Sequence, residues 1–235
     1  MRYAYIAIEK NTEGFDFYKD LWSKRGITGY MADSMTNAIE TAISIENSNA
    51  EQLYFVSIVE EQINYLPQLN LLREATSAPI LIASTLNDNT THQESLKSGA
   101  DWYAPVCDTA EGNIQGVMVA VERINQTKNR KATTDLIICN GILLSPLYRK
   151  AFVNDTEVEL TKREFDILLL LIKKPEQVFT HSQIINKVWS GEYENADKAL
   201  LWNSIKRLRE KLRATPNGKQ YIETVREVGY RFSLK

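Results

Sequence analysis

Hydrophobic and polar positions in the first half of the chain form short buried runs separated by longer amphipathic stretches. Strand-like hydrophobic runs occupy residues 3–8, 53–58 and 79–84. Stretches with helical periodicity lie near residues 13–25, 34–47, 65–75, 90–98 and 110–125. Wholly hydrophobic strands that alternate with helices are typical of a parallel sheet covered on both faces. The first half is therefore predicted to be an α/β domain.

The second half begins with short strand-like runs and continues with helices. The runs lie at residues 136–144, 151–153 and 158–160. Thr161 with Glu164, and Thr180 with Gln183, stand just ahead of hydrophobic segments in the spacing of a capping box. In that motif two side chains satisfy backbone donors of the first helical turn. Two helices are therefore expected to begin at these positions.

A third helix is predicted to begin near Asn195 or Asp197 and to run to about Leu212. Hydrophobic residues recur on one of its faces at Leu201, Ile205, Leu208 and Leu212. At about 100° per residue, the opposite face carries Asn203, Lys206, Arg207 and Glu210. One flank carries Trp202, Arg209 and Arg213. Two β-prone runs follow within residues 221–232. A helix with a cationic outer face, followed by a hairpin, indicates a winged helix-turn-helix.

Charge is distributed unevenly along the 235 residues. Residues 1–127 carry 8 Lys and Arg against 17 Asp and Glu, a net charge of −9, whereas residues 128–235 carry 20 against 13, a net charge of +7. Only the second half therefore suits a polyanion such as double-stranded DNA. The polar, basic stretch at residues 125–134 is predicted to be a linker between domains at 1–124 and 135–235.

Several classes of protein are disfavoured by the sequence. The longest aliphatic run, residues 167–172, is far shorter than the ~18 residues of a membrane span, and the first ten residues do not resemble a secretory leader. A cytoplasmic protein without membrane contact is expected. Cys107, Cys139, His92 and His181 share no metal-ligand spacing, so we expect no disulfide, zinc or other cofactor. No catalytic triad or nucleotide-binding loop can be assembled, and the protein is not expected to be an enzyme.

Four motifs in the second half carry a resemblance to a known family. In order they read LTKREFDILLLL, VFTHSQIINKVW, SIKRLREKL and YIETVREVGYRF. This series resembles the effector domain of the OmpR/PhoB family of bacterial response regulators. The resemblance implies an α+β winged helix-turn-helix domain with a four-stranded sheet, three helices and a C-terminal hairpin wing. It also implies that the third helix enters the major groove and that the wing reaches the neighbouring minor groove.

The resemblance assigns DNA contacts to individual residues. Arg207 matches a base-contacting arginine, whose guanidinium suits guanine O6 and N7. Lys206 and Arg209 match positions that usually hold phosphates. Thr224 and Arg226 match contact positions in the wing, where Arg226 suits a narrow minor groove.

Further contact positions leave alternatives open. Trp189 matches a phosphate-side aromatic, although burial against the helices explains it nearly as well. Trp202 and Asn203 replace the family's usual acidic and aliphatic pair. Asn203 points outward and suits adenine N6 and N7. For Trp202, packing on the sheet edge is preferred over contact with a thymine methyl group. Glu210 is expected to pair with Lys206, four residues earlier.

With the effector domain identified, the first half resembles a response-regulator receiver domain, an α/β domain with a five-stranded parallel sheet flanked by five helices. The segments at residues 79–83 and 98–105 support this resemblance. A working receiver needs an aspartate at the end of its third strand, acidic residues after strand one for magnesium, a hydroxyl after strand four and a lysine after strand five.

The receiver chemistry is largely missing from the sequence. Alignment places Ser57 at the acceptor position, and a serine cannot form an acyl phosphate. No aspartate occurs in residues 34–87 and no lysine in residues 98–127. Val106 stands at the lysine position, and Glu9 is followed by Lys10, whose cation would repel magnesium. Ser84 retains the hydroxyl and Tyr103 the switch aromatic. Glu60, three residues beyond Ser57, is the obvious substitute acid, and its use as an acceptor is disfavoured.

The sequence therefore predicts a degenerate phosphorylation site in a pseudo-receiver that dimerises. The family's dimer face is formed by the fourth helix, fifth strand and fifth helix. Asp101 and Arg123 remain from its charged pairs, whereas Asn113 and Val117 replace partners. An apolar stripe on the fifth helix contains Val117, Met118 and Val121. A homodimer interface is the preferred role of this stripe, and packing of the same residues on their own sheet is the alternative.

Three functions follow as hypotheses. The preferred one is a sequence-specific DNA-binding transcriptional regulator that acts as a homodimer without aspartyl phosphorylation. In the second, a small ligand or an antagonist protein switches the same regulator at its receiver. In the third, the winged helix is a protein-binding adaptor. The loop at residues 190–194 matches the family segment that can contact RNA polymerase.

Overall fold

The computed structural model describes residues 2–48, 50–59, 64–84, 89–106, 109–127, 135–189, 198–215 and 219–234. The chain forms two compact units, residues 1–134 and residues 135–235. None of the helices in these ranges is long and apolar enough to cross a membrane.

The first unit is a five-stranded, fully parallel sheet in the order β2-β1-β3-β4-β5 with five helices. The strands are β1 (Arg2–Ile8), β2 (Ile27–Ala32), β3 (Glu51–Val59), β4 (Ile80–Ser84) and β5 (Trp102–Pro105). The helices are α1 (Thr12–Ser23), α2 (Met35–Asn47), α3 (Leu69–Ala75, after a 3₁₀ turn at Leu66–Gln68), α4 (Asn89–Lys97) and α5 (Ala110–Thr127). The predicted receiver-like fold is confirmed.

An aromatic cluster fills the core beneath α1. Tyr5 of β1 stacks on Phe55 of β3 with ring centroids 5.1 Å apart, and Trp22 lies 5.1 Å from Phe55. The Tyr5 ring lies over Gly29 of the edge strand β2, where an added Cβ would come within 2.8 Å of it. The glycine therefore lets a tyrosine enter the core at this point.

The second unit contains a four-stranded antiparallel sheet, three helices and a three-stranded sheet that includes the wing. The first sheet has the order β6-β7-β8-β9, with β6 (Ile137–Cys139), β7 (Ile142–Ser145), β8 (Lys150–Val153) and β9 (Thr156–Glu157). The helices are α6 (Lys162–Ile172), α7 (His181–Val188) and α8 (Lys198–Arg213). The second sheet has the order β10-β12-β11, with β10 (Phe179–Thr180), β11 (Ile222–Val225) and β12 (Gly229–Phe232).

Both predicted capping boxes are confirmed. The Thr161 hydroxyl accepts from Glu164 N while the Glu164 carboxylate accepts from Thr161 N, and Thr180 and Gln183 do the same. Burial alone would raise the pKa of Glu164. Hydrogen bonds from Lys211 and Thr161, together with the positive charge of Lys211, hold this pKa below its ordinary value. Lys211 Nζ lies 2.8 Å from Glu164 Oε2, so the cap of α6 is also tied to α8.

Several predicted boundaries differ from the structure. The run at residues 136–144 forms two strands, because Asn140 and Gly141 both have positive φ and turn the chain. The predicted strand at 158–160 is not formed, although Val158 N still donates to Ala151 O. Helix α5 continues to Thr127, three residues into the predicted linker. The predicted starts of the third helix, Asn195 and Asp197, lie outside the described residues.

Candidate nucleic-acid interface

Helix α8 separates a buried face from a charged one. Leu201, Ile205, Leu208 and Leu212 are at most 1% exposed and join the core of the second unit. Asn203, Lys206, Arg207 and Glu210 are all exposed on the other side. The predicted assignment of the two helix faces is therefore correct, and the outer face presents one amide, two cations and one carboxylate to solvent.

Trp202 is exposed, contrary to the preferred prediction that it packs on the sheet edge. Its side chain is 57% exposed. Lys206 Nζ lies 5.7 Å from the centroid of its ring, one helical turn further on. Lys206 thus contacts the indole instead of forming the ion pair predicted with Glu210.

Arg209 connects α8 to the wing instead of pointing away from the protein. Its Nε donates to Ile222 O at 2.9 Å and its Nη2 to Thr224 Oγ1 at 2.8 Å. The guanidinium lies 5.6 Å from the ring centroid of Tyr230, and burial lowers the pKa of Arg209. Two residues predicted to contact DNA, Arg209 and Thr224, are therefore bonded to each other.

The wing is held against β10, a strand that sequence analysis missed because it contains only two residues. A Cβ added at Gly229 would overlap the carbonyl oxygen of Phe179, so the close pairing of β10 and β12 requires glycine there. Arg226 and Val228 are exposed in the turn between β11 and β12. Arg231 pairs with Glu223 at 2.7 Å and with Glu176 at 3.2 Å.

Trp189 belongs to the core, as the alternative of burial against the helices predicts. It is 5% exposed and packs with the helices of the second unit. The guanidinium of Arg163 lies 5.4 Å from its ring centroid and donates to Val188 O. The alternative of burial therefore describes Trp189. The loop at residues 190–194 lies outside the described residues.

The residues of the degenerate phosphorylation site surround the carboxyl edge of the parallel sheet. Glu9 follows β1, is 8% exposed and has its pKa raised by burial. Ser84 ends β4, is fully buried and accepts at its backbone oxygen from Val106 N. Lys10 and Val106 are exposed. Tyr103 stacks on His92 with ring centroids 4.6 Å apart.

Ser57 lies two residues before the end of its strand. It pairs with Ala7 and Leu81, and β3 continues for two more residues to Val59. A register shift between Ala4 and Tyr5 is invisible to a sequence alignment, and Val59 is level with Ala83, the residue before Ser84. Neither serine nor valine can form an acyl phosphate. Glu60 lies outside the described residues.

Most residues assigned to the dimer face are turned inward. Asp101 is paired with Arg73 at 2.8 Å, its side chain is 7% exposed, and it accepts from Ile80 N. Val121 is buried, and Val117 and Met118 pack against the same core. Asn113 Nδ2 donates to Tyr18 Oη, and Arg123 is exposed. The alternative, packing on their own sheet, therefore describes the stripe on α5.

Other hydrophobic side chains are exposed on the same three elements. Leu96 of α4 is 43% exposed, Trp102 of β5 is 41% exposed and Val119 of α5 is 46% exposed. Sequence periodicity missed them because exposure on an edge strand and on the outer sides of two helices depends on tertiary packing.

Comparisons with known proteins agree with this architecture. Residues 155–232 match the family described as "Transcriptional regulatory protein, C terminal". The response regulator ArlR of Staphylococcus aureus is 32% identical over 183 residues, covering 78% of this chain and 80% of ArlR.

Solved structures are similar at lower identity. The response regulator DrrB of Thermotoga maritima, an OmpR/PhoB homologue, is 18% identical with a TM-score of 0.42, covering 99% of this chain and 100% of DrrB. The RstA DNA-binding domain of Klebsiella pneumoniae in complex with the RstA box is 25% identical with a TM-score of 0.37, covering 43% of this chain and 98% of that one. From the relationship to ArlR over more than three quarters of both sequences, the chain belongs to the OmpR/PhoB family of transcriptional response regulators.

Proposed function

We propose that the protein is a sequence-specific DNA-binding regulator that acts as a homodimer without aspartyl phosphorylation. The observation that carries this proposal is the outer face of α8, where Asn203, Lys206 and Arg207 are exposed beside a wing tied to the helix through Arg209. An exposed amide and two cations on a helix with a leucine-packed inner face suit the edges of bases and the phosphates around them.

Each exposed residue has a chemical role in this proposal. Arg207 donates two parallel bonds to guanine, and Asn203 pairs with adenine N6 and N7. Lys206 neutralises phosphate, and Arg226 enters the minor groove. Arg209 and Thr224 act by setting the position of the wing. The net charge of +7 on residues 128–235 adds general attraction to DNA.

Sequencing the DNA that binds the unmodified protein tests base recognition. We expect Arg207→Gln to weaken binding to the enriched site by ~1–3 kcal/mol and to relax base choice at one position. Lys173→Gln removes the same charge from an exposed position just after α6 and should leave the enriched sequence unchanged. Equal losses in both variants would show that charge alone accounts for binding.

The missing receiver chemistry supports independence from phosphorylation. Transfer to a protein carboxylate needs an acceptor, a magnesium site and a cation for the phosphoryl group. This chain has no aspartate in residues 34–87 and no lysine in residues 98–127. Burial also raises the pKa of Glu9, which weakens it as a ligand. Incubation with acetyl phosphate and magnesium should leave the intact mass unchanged; a phosphoryl adduct on the first unit would reject this part of the proposal.

The exposed hydrophobic residues of α4, β5 and α5 support a dimer. Leu96, Trp102 and Val119 come from neighbouring elements at one edge of the sheet, and covering such side chains is favourable. Light scattering at micromolar concentration should give a dimer without a phosphoryl donor. Trp102→Arg should give a monomer, whereas Phe17→Arg, at an exposed aromatic of α1, should not. A monomeric parent protein would contradict the proposal.

A further inference from the structure

Trp202 presents the most exposed indole of the protein. It is 57% exposed, whereas Trp22, Trp189 and Trp102 are 3%, 5% and 41% exposed. Its neighbour Leu200 is 44% exposed, so the first turns of α8 place two large hydrophobic side chains in solvent. Packing among the described residues does not account for them, because a tryptophan that belongs to the core is covered, as Trp189 is.

The contacts between α8 and β11 locate Trp202 relative to the wing. Arg213 donates to Gln220, and Arg209 donates to Ile222 and Thr224, so β11 runs antiparallel to the helix. Trp202 lies seven residues before Arg209, or about 10 Å along the axis. A strand covers that distance in about three residues. Trp202 therefore stands on the flank that faces the wing, level with the turn at residues 226–228.

Lys206 holds the ring at this place. Its ammonium lies 5.7 Å from the ring centroid, and attraction of a cation to the indole face restrains the side chain against the helix. The residue nevertheless remains 57% exposed. The helix thus carries a fixed apolar surface beside Asn203, whose amide points out from the same turn.

The chemistry of the major groove gives this surface a ligand. A side chain opposite the buried face of the helix meets the middle of the base edges, while one on the flank meets the groove wall. The C5 position of a pyrimidine lies next to its own backbone, at that wall. Thymine carries a methyl group there, and it is the apolar group that bases present in the major groove. Cytosine has only hydrogen at C5.

We propose that Trp202 is a specificity-determining residue that recognises the 5-methyl group of a thymine beside the base read by Asn203. The inference rests on the proposed function, because it requires α8 to enter the major groove. An acidic residue at the same position, as is usual in the family, could not make this apolar contact. A hydrogen bond from Nε1–H to a phosphate is the competing role for the same side chain.

Replacing thymine by deoxyuridine removes the methyl group and nothing else. DNA is first selected from a random duplex library with the full chain, and each thymine of the enriched site is then replaced singly. We expect one replacement to weaken binding by about fourfold, the factor for burying one methyl group. In Trp202→Ala the same replacement should have no measurable effect. Tyr148→Ala, at another exposed aromatic of the second unit, should behave like the parent.

Three results would overturn the inference. The first is that no thymine replacement weakens binding in the parent protein. The second is that the sensitivity persists unchanged in Trp202→Ala. The third is that Trp202→Ala weakens binding equally to thymine and uracil duplexes, which would assign the residue to a phosphate. Thermal unfolding of the two alanine variants checks that both remain folded. A selection that enriches no sequence would reject the proposed function itself, and it is therefore distinguishable from failure of the inference.

Discussion

The outer face of α8 and the carboxyl edge of the parallel sheet both carry polar side chains, but the chemistry of those side chains differs. On α8, Asn203, Lys206 and Arg207 remain exposed. At the sheet edge, a buried Glu9, a buried Ser84 and an exposed Val106 occupy the surroundings of the expected phosphorylation site. Both units nevertheless contain buried hydrophobic cores. The comparison shows that packing preserves a fold while a few side chains decide whether its site keeps its chemistry.

The largest expected effect concerns the support of the wing. Gly229→Ala places a Cβ against the carbonyl of Phe179, so we expect about 3 kcal/mol of destabilisation and loss of specific DNA binding. Gly116→Ala in α5 has open space around its added Cβ and should be neutral or slightly stabilising, since alanine favours helix. Urea unfolding and DNA affinity measure both. Equal effects of the two changes would contradict the close approach at Gly229.

Arg209 provides a smaller effect that separates positioning from phosphate binding. Arg209→Ala removes two hydrogen bonds to the wing, and we expect DNA affinity to fall by about 1–2 kcal/mol with faster hydrogen exchange in β11. Lys206→Gln should instead lower the salt slope of binding by about 1 without changing exchange in the wing. If Arg209→Ala lowered the salt slope by the same amount and left hydrogen exchange in β11 unchanged, Arg209 would be a phosphate contact instead of a positioning residue.

Two buried glutamates should respond to pH in opposite directions. The pKa of Glu164 is held below its ordinary value by Lys211 and Thr161, against the effect of burial. Its stabilisation is therefore present above the unfolded-state pKa and lost as pH falls through the lower folded value. Burial raises the pKa of Glu9, so its contribution is present at low pH and lost as pH rises through the raised value.

Glutamine substitutions test this difference in the full chain. Glu164→Gln should lower the urea midpoint at neutral pH, with a penalty that shrinks in acid. Glu9→Gln should raise the midpoint at neutral pH and change it little in acid. The midpoint difference between each variant and the parent, followed across pH, measures both. If both substitutions shifted the urea midpoint in the same direction at neutral pH, the contrast between the two sites would be wrong.

The smallest expected effect is that one acid does not rebuild the phosphorylation site. Ser57→Asp should give no phosphoryl adduct with acetyl phosphate and magnesium. Its side chain would lie two residues inside the edge of the sheet, and no lysine follows β5 in residues 98–127. Intact mass before and after incubation measures this result. A stable adduct on the variant would show that an aspartate at residue 57 can accept a phosphoryl group in this chain.

Sequence patterns predicted the parts of the molecule that depend on local chemistry. Capping boxes at Thr161 and Thr180 and the leucine face of α8 are encoded by neighbours along the chain, and all are formed. Features that depend on distant partners were missed. Strand β10 exists only through its pairing with β12. The resemblance assigns Asp101 to a dimer contact, and the sequence pattern gives no sign of its partner Arg73, 28 residues away.

Contacts at the DNA-reading surface show the same limit. Periodicity places Trp202, Lys206 and Arg209 on α8 correctly but does not say what each side chain touches. Arg209 turns to the wing because the carbonyl of Ile222 and the hydroxyl of Thr224 are within reach. Lys206 turns to an indole that the sequence had suggested was packed on the sheet.

Reading of DNA without a phosphoryl signal can be measured through the affinity of the full chain for its selected DNA site. The affinity is determined with and without prior incubation with acetyl phosphate and magnesium. We predict the same dissociation constant in both conditions and loss of affinity with Arg207→Gln in both. Binding that tightens tenfold or more only after treatment with the donor would contradict the account.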